Sequence, residues 1–243
     1  MKFRERLVDG LRTPVLVAEG FEIQSVTADG IGLRQQVTGA VTLEEPLFAH
    51  GKDAVFPRAF KGQLANDSVI VLLFTNRGTV FLQRRGLQKK WEPGKIDLAS
   101  VAGQRAAVLI ADRYEPEPLE STAFREVAEE TGVSVSVLRK DPLRFIGEHY
   151  NPRTNEFQTV YACVLDVTMA ELNAKLSAAG TGEVDAWIEK DYGMCIAEYF
   201  GALANNYAGG ESMRPVNFIA NPAIRRGLDS FASGLSILSR PVP

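Results

Sequence analysis

Glu117-Pro118-Leu119-Glu120-Ser121-Thr122-Ala123-Phe124-Arg125-Glu126-Val127-Ala128-Glu129-Glu130-Thr131-Gly132-Val133 is the stretch on which the reading of this chain turns. Pro118 suits a first helical residue, where its missing amide hydrogen costs nothing, and Gly132 stands where a helix terminator belongs. The spacing therefore predicts a helix over residues 118–131. At about 100° per residue, Glu126, Glu129 and Glu130 fall within one arc about 100° wide. Ala123, Phe124, Val127 and Ala128 form the adjoining apolar arc, which marks the buried side. Like charges at three- and four-residue spacing cost a helix roughly 0.2 to 0.5 kcal/mol per pair, so a stripe of three carboxylates is unfavourable unless a cation sits beside it. Hard divalent cations prefer carboxylate and carbonyl oxygens, commonly shared with substrate phosphates. Arg125 lies four residues before Glu129, close enough to pair with it and hold its carboxylate in one orientation.

Acid-rich helices are most often plain solvated faces, and a short motif alone carries false-positive risk. The pattern Arg-Glu-x-x-Glu-Glu-x-Gly, however, fixes five identities between Arg125 and Gly132. At residue frequencies of about 6 to 7%, its chance occurrence in a chain this long is on the order of 10⁻⁴. With Glu117 placed eight residues before Arg125, the segment resembles the Nudix box. Glu117, Arg125, Glu126, Val127, Glu129, Glu130, Gly132 and Val133 all match it. The resemblance implies a loop and helix that bind Mg²⁺, with Mn²⁺ as a substitute, and a diphosphate. By it Glu126, Glu129 and Glu130 are metal ligands, Arg125 buttresses Glu129, and the metal activates water for attack on phosphorus. Catalysis is then expected to rest on Glu129, Glu130 and Arg125. The implied fold is α+β: a Nudix-type α/β/α sandwich around a mixed β-sheet.

One position departs from the pattern. The box opens with a glycine six residues before its first glutamate, and here that residue is Ala111. The expected strand ending in glycine occurs earlier, as Ile96-Asp97-Leu98-Ala99-Ser100-Val101-Ala102-Gly103. An insertion of about eight residues within Gln104 to Pro116 accounts for the shift and is long against usual loop lengths. Gly103 is then the candidate for the backbone carbonyl that the family often contributes to the metal. Flanking it, Phe81-Leu82-Gln83-Arg84-Arg85, Trp91, Pro93-Gly94-Lys95 and Asp97 resemble the branch that includes isopentenyl diphosphate isomerase. Arg84, Arg85 and Lys95, with Lys89 and Lys90, form a candidate basic rim for an anionic phosphate substrate. For any one of these side chains the plainer reading is a solvated surface cation.

Working outward, Ser68 to Phe74, the turn Thr75-Asn76-Arg77-Gly78, and Thr79 to Gln83 predict a central hairpin, with Asn and Gly where a tight turn needs positive φ. Residues 1–60 read as a small β-rich N-terminal segment, with a strand at Phe21 to Val26, a turn at Asp29-Gly30 and a return strand from Ile31 to Val37. After the box, Leu143 to Tyr150 and Phe157 to Asp166 predict paired strands. Helices follow around Met169 to Ala179 and Met194 to Asn205. Mixed strands and helices favour a layered arrangement. The division expected is an N-terminal segment over 1–60, the main domain over 61–210 and a helical tail over 211–243.

Composition narrows the classes. With 45% apolar and 23% charged residues the chain has ample core material. Its longest apolar runs, Val69 to Phe74 and Ala106 to Ala111, fall far short of the about 20 residues a bilayer requires. The first residues lack the architecture of a secretory signal, which makes a cytoplasmic enzyme the default. Two cysteines, Cys163 and Cys195, and two histidines, His50 and His149, are too scattered for a disulfide framework or a zinc site. A net charge of -3 argues against a general nucleic-acid binder. The partner expected is a small-molecule diphosphate; a homodimer is left open. Phe21, Trp91 and Tyr150 are candidates to stack on a base, although large aromatics are more often core.

The function that follows is hydrolysis of a nucleoside diphosphate linked to another group. A box carboxylate, Glu129 or Glu130, is the expected proton acceptor, with Glu148, Glu156 and Glu183 as alternatives. A rival is isomerisation of isopentenyl diphosphate, whose catalytic cysteine stands beside the matching glycine, where this chain has Ala102. A non-catalytic nucleotide-binding module is the other, disfavoured because all the box carboxylates are present.

Overall fold

The computed structural model describes, with side chains, residues 65–89, 92–106, 116–134, 143–152, 156–176, 182–202, 204, 213 and 216–235, and the backbone of the remaining strand and helix residues given below. Its strands are β1 (Lys2–Val8), β2 (Leu11–Val17), β3 (Phe21–Thr27), β4 (Gly30–Gln35), β5 (Val41–Glu44), β6 (Phe48–His50), β7 (Asp53–Val55), β8 (Pro57–Phe60), β9 (Gln63–Phe74) and β10 (Thr79–Arg85). Then come β11 (Ile96–Asp97), β12 (Val101–Gln104), β13 (Ala107–Ile110), β14 (Arg113–Pro116), the helix α1 (Leu119–Thr131), β15 (Arg144–Asn151) and β16 (Glu156–Val164). The chain continues through α2 (Met169–Ala179), β17 (Val184–Asp191), α3 (Tyr192–Ala204), a 3-10 turn over Phe218–Ala220 and α4 (Pro222–Leu238). It is an α+β protein that divides into two compact units.

The larger unit comprises Ile70–Gly103, Ala123–His149 and Thr159–Pro243. Every residue from Ile70 to Phe74 is 3% exposed or less. An uninterrupted buried run suits a strand covered on both faces, and β9 is the central member of a sheet ordered β11-β10-β9-β16-β15. The predicted hairpin is present: Phe74 pairs with Val80 and Leu73 with Phe81. Its turn is closed by the Thr75 amide donating to Thr79 O and the Gly78 amide to Thr75 O. Gly78 takes φ +79°, which a β-carbon would strain. One edge of β10 runs along β17 from Thr79 to Arg85. The other edge is shared between β9 and β11, the latter through Gln83 and Arg84. Ser100 staples this region, accepting from the Leu73 amide at 2.9 Å and donating to Phe81 O.

Ile70, Leu72 and Phe74 alternate along β9 and meet Tyr192, Cys195, Ile196 and Tyr199 of α3 and Ile224, Leu228 and Ala232 of α4 in one core. The last three recur every four residues, which places them on one helical face. Phe74 lies 5.4 Å from the Tyr192 ring and 5.2 Å from Phe231. The C-terminal helix, expected as a tail whose docking the sequence leaves open, supplies part of the main core. Strand β17 was not anticipated from the sequence; Asn173 of α2 brackets its Trp187, accepting from the Trp187 amide at 2.9 Å and donating to its carbonyl.

The smaller unit comprises residues 1–69, 104–122 and 150–158. It holds the β1-β2 hairpin, the β3-β4-β5 meander, the β6-β7 pair, β8 against the start of β9, and the β13-β14 hairpin. The meander contains the predicted N-terminal hairpin, with Thr27 opposite Gly30; Val37, assigned to its return strand, lies outside the described residues. The inserted stretch forms a hairpin of its own, with Ala107 opposite Pro116 and Ile110 opposite Arg113.

Phe74→Ala empties the centre of the main core. It is expected to lower unfolding stability by about 3 to 5 kcal/mol, measured as a shift of the urea midpoint at unchanged slope.

Candidate active site

Helix α1 begins at Leu119, one residue later than its sequence predicts. Pro118 contributes its carbonyl to the first turn, accepting from the Thr122 amide. The far end falls where expected: Gly132 adopts φ +67° and donates its amide to Ala128 O. Ala123 and Val127 are fully buried, which fixes the roll of the helix about its axis. That roll sets the acidic stripe at the margin of the buried face. Glu126 retains 13% side-chain exposure and Glu129 58%, while Glu130 Oε2 is buried and accepts no hydrogen bond from the described residues.

Glu126 lies against the end of β12. A β-carbon built on Gly103 would overlap its carboxyl group, so glycine is what lets the carboxylate reach the strand backbone. Arg125 holds the stripe from outside, its Nη1 donating to Glu126 Oε1 at 2.6 Å and to Glu129 Oε2 at 3.4 Å. The predicted pairing with Glu129 is present, and the shorter contact is to the adjacent Glu126.

Burial, and next the charge of Glu126, push the Glu130 carboxyl well above the ordinary carboxylate range. Lys89 opposes this, Glu183 adds to it, and a hydrogen bond with the Ala102 backbone opposes it again. Two acids side by side, one with a buried oxygen that finds no donor among the described residues, are a poor arrangement for a protein alone and a fitting one for a cation. Among the described residues, no set of three acidic, histidine or cysteine side chains is already gathered at one point. A divalent ion held here would draw on Glu126, Glu130 and the Gly103 carbonyl, with Glu129 turning in or substrate oxygens completing its shell.

The expected basic rim is distributed differently from one residue to the next. Arg85 turns to the buried Asp97, Nη1 to Oδ2 3.4 Å, so its charge is matched inside the protein. Lys89 pairs with Glu183 at 2.9 Å, joining the segment after β10 to the one before β17. Arg84 and Lys95 are half-buried, and Lys90 and Trp91 lie outside the described residues. The Phe21 side chain is likewise outside them, and Tyr150 stacks at 5.1 Å on Phe157. Of the alternative proton acceptors, Glu148 is exposed, Glu156 accepts from Gln158 Nε2, and Glu183 is the partner of Lys89. Both cysteines are buried, and burial pushes the Cys195 thiol up to about 12.

The family model described as NUDIX domain matches residues 65–191, over half of the 243 residues, and the chain belongs to that family. Comparison with curated proteins gives no match. Among solved structures the chain is similar to DR0079 from Deinococcus radiodurans, with 18% identity, 74% of this chain and 96% of that one covered, and a TM-score of 0.45. It is also similar to a mutT/nudix family protein from Listeria innocua, at 15% identity over 62% of this chain and 98% of the other, TM-score 0.36. A NUDIX hydrolase from Nitrosomonas europaea gives 15%, with 70% and 90% covered and a TM-score of 0.40.

Because the folded-state value of Glu130 is raised, the stabilisation it contributes is complete below the ordinary carboxylate range and is lost as pH rises through the raised value. In EDTA the wild type is therefore expected to lose thermal stability with rising pH more steeply than Glu130→Gln. Melting curves of both proteins between pH 5 and 9 test this; parallel profiles count against the buried-carboxylate description.

Proposed function

We propose that this protein is a metal-dependent hydrolase that cleaves the diphosphate linkage of a nucleoside diphosphate joined to another moiety, with Mg²⁺ as its metal and Mn²⁺ as a substitute. The observation that carries the reading is the buried oxygen of Glu130, which has no partner among the described residues, beside Glu126. Family membership supports the coarser statement, action on a phosphorus anhydride. Glu126 and Glu130 hold the metal with Glu129 and the carbonyl of Gly103. Such an ion supplies Lewis acidity toward phosphoryl oxygens and water.

The remaining work belongs to the side chains. Arg125 keeps Glu126 and Glu129 oriented. Glu129, the most exposed of the three acids, accepts the proton as a water oxygen bonds to phosphorus; the bridging P–O bond breaks and its electron pair leaves with the departing phosphate. Arg84 and Lys95 are the assigned cations toward the substrate phosphates. Arg85 acts through Asp97, which it already holds, and so orients the β11 end of this edge. The substrate on this reading is a small-molecule diphosphate of the cytoplasm.

Removing an inner metal ligand should exceed the 10- to 100-fold effects typical of outer-shell changes. Glu130→Gln is accordingly expected to reduce kcat by more than about 100-fold while the protein stays folded. The measurement is product identification from nucleotide sugars, dinucleotides, nucleoside triphosphates and isoprenoid diphosphates with Mg²⁺ or Mn²⁺. Full activity in a folded Glu130→Gln variant refutes the assignment. Double-bond migration without phosphate release replaces hydrolysis by isomerisation, and tight nucleotide binding without turnover under either metal replaces it by a sensing role.

A further inference from the structure

The inserted hairpin opens four residues after Gly103 and closes three residues before α1, inside the loop that must bring a strand end and a metal-binding helix into register. An interruption of that length separates the two ends of the loop unless something ties them together, because the ends of a longer flexible loop meet at greater entropic cost. The neck of the hairpin is tied. Its ladder runs on past Ala107 and Pro116 to a last rung, in which the Glu117 amide donates to Ala106 O at 2.9 Å. The reciprocal bond of an antiparallel pair, from the Ala106 amide to Glu117 O, is replaced. Arg105 Nε donates to Glu117 O at 2.6 Å, and the Ala106 amide turns to the carboxylate of Glu117.

Arg105 is itself anchored twice to Asp67, its amide to Asp67 O at 2.8 Å and its Nη1 to Asp67 Oδ2 at 3.1 Å. Asp67 is 1% exposed. Glu117 Oε2 also accepts from Thr122 Oγ1 at 3.0 Å, within the first turns of α1, and that helix runs unbroken to the acidic stripe. Arg105, two residues beyond Gly103, thus ties strand β9 to the residue two before α1.

We propose that Arg105 is a positioning residue for the metal site: it ties off the inserted hairpin at its neck, so that residues 107–116 leave the register between Gly103 and Glu126 undisturbed. The role rests on the metal-dependent reading above. Its chemistry is specific to a guanidinium, which donates to a carbonyl and a carboxylate at once, where lysine offers a single charged head.

The test is Mn²⁺ binding to the full chain by titration calorimetry without substrate, alongside kcat, KM and melting temperature. Arg105→Ala is expected to weaken Mn²⁺ binding by about 10-fold or more, the scale of outer-shell effects. It is also expected to lower kcat with little change in KM. Arg105→Lys keeps the charge facing Asp67 and serves if the alanine variant does not fold. It is expected to melt near the wild type yet bind Mn²⁺ several-fold more weakly. Wild-type Mn²⁺ affinity in either folded variant overturns the role of Arg105 while leaving the hydrolase reading intact. Absence of Mn²⁺ binding by the wild type overturns both.

Discussion

The arrangement of α1 depends on one cost: a carboxylate removed from water beside a second carboxylate. Glu130 bears it, with a buried oxygen that meets no donor among the described residues and with Glu126 next to it. Such a pair is held in place by what is immovable around it. Ala123 and Val127 pin the helix to the core, Gly103 yields the space that a side chain would take from Glu126, and Arg125 reaches across the outer side. The buried pair of acids by itself costs stability, and the burial of Ala123 and Val127 offsets that cost.

The parts legible in the sequence are those whose signals lie within a few residues. The helix of the box shows its period, its proline and its terminating glycine within one short stretch, and only its first residue was misplaced. The hairpin from β9 to β10 is announced by an apolar run and a turn with Gly78. Met169 to Ala179 forms the helix its spacing suggests. Strand β17 has no clear signal in the sequence because Asp185, Glu189 and Lys190 break the apolar pattern from Val184 to Asp191. Its stability comes from β10 and from Asn173, neither of which is local.

The same reason governs the site. Glu126, Glu129, Glu130 and Arg125 could be placed on one stripe as candidates because helical geometry relates them directly. Lys89 with Glu183, and Arg105 with Asp67, are joined only by the folding of the chain, and no spacing rule brings them together. The burial of Arg85 against Asp97 was equally hidden, since an arginine among other cations reads as surface until its partner is seen. The insertion could be located by counting back from the box, but its run from Ala107 to Ile110 lacks alternation, and only the pairing with Arg113 to Pro116 identifies it as a ladder.

Gly86 and Gly182 meet backbone to backbone. The Gly86 amide donates to Glu183 O, and a β-carbon at Gly86 would strike the Gly182 carbonyl. The two segments that carry Lys89 and Glu183 are consequently joined by main-chain atoms as well as by that ion pair. A side chain at Gly86 would part these two segments, and with them Lys89 and Glu183, the two charges that bear on Glu130 with opposite signs.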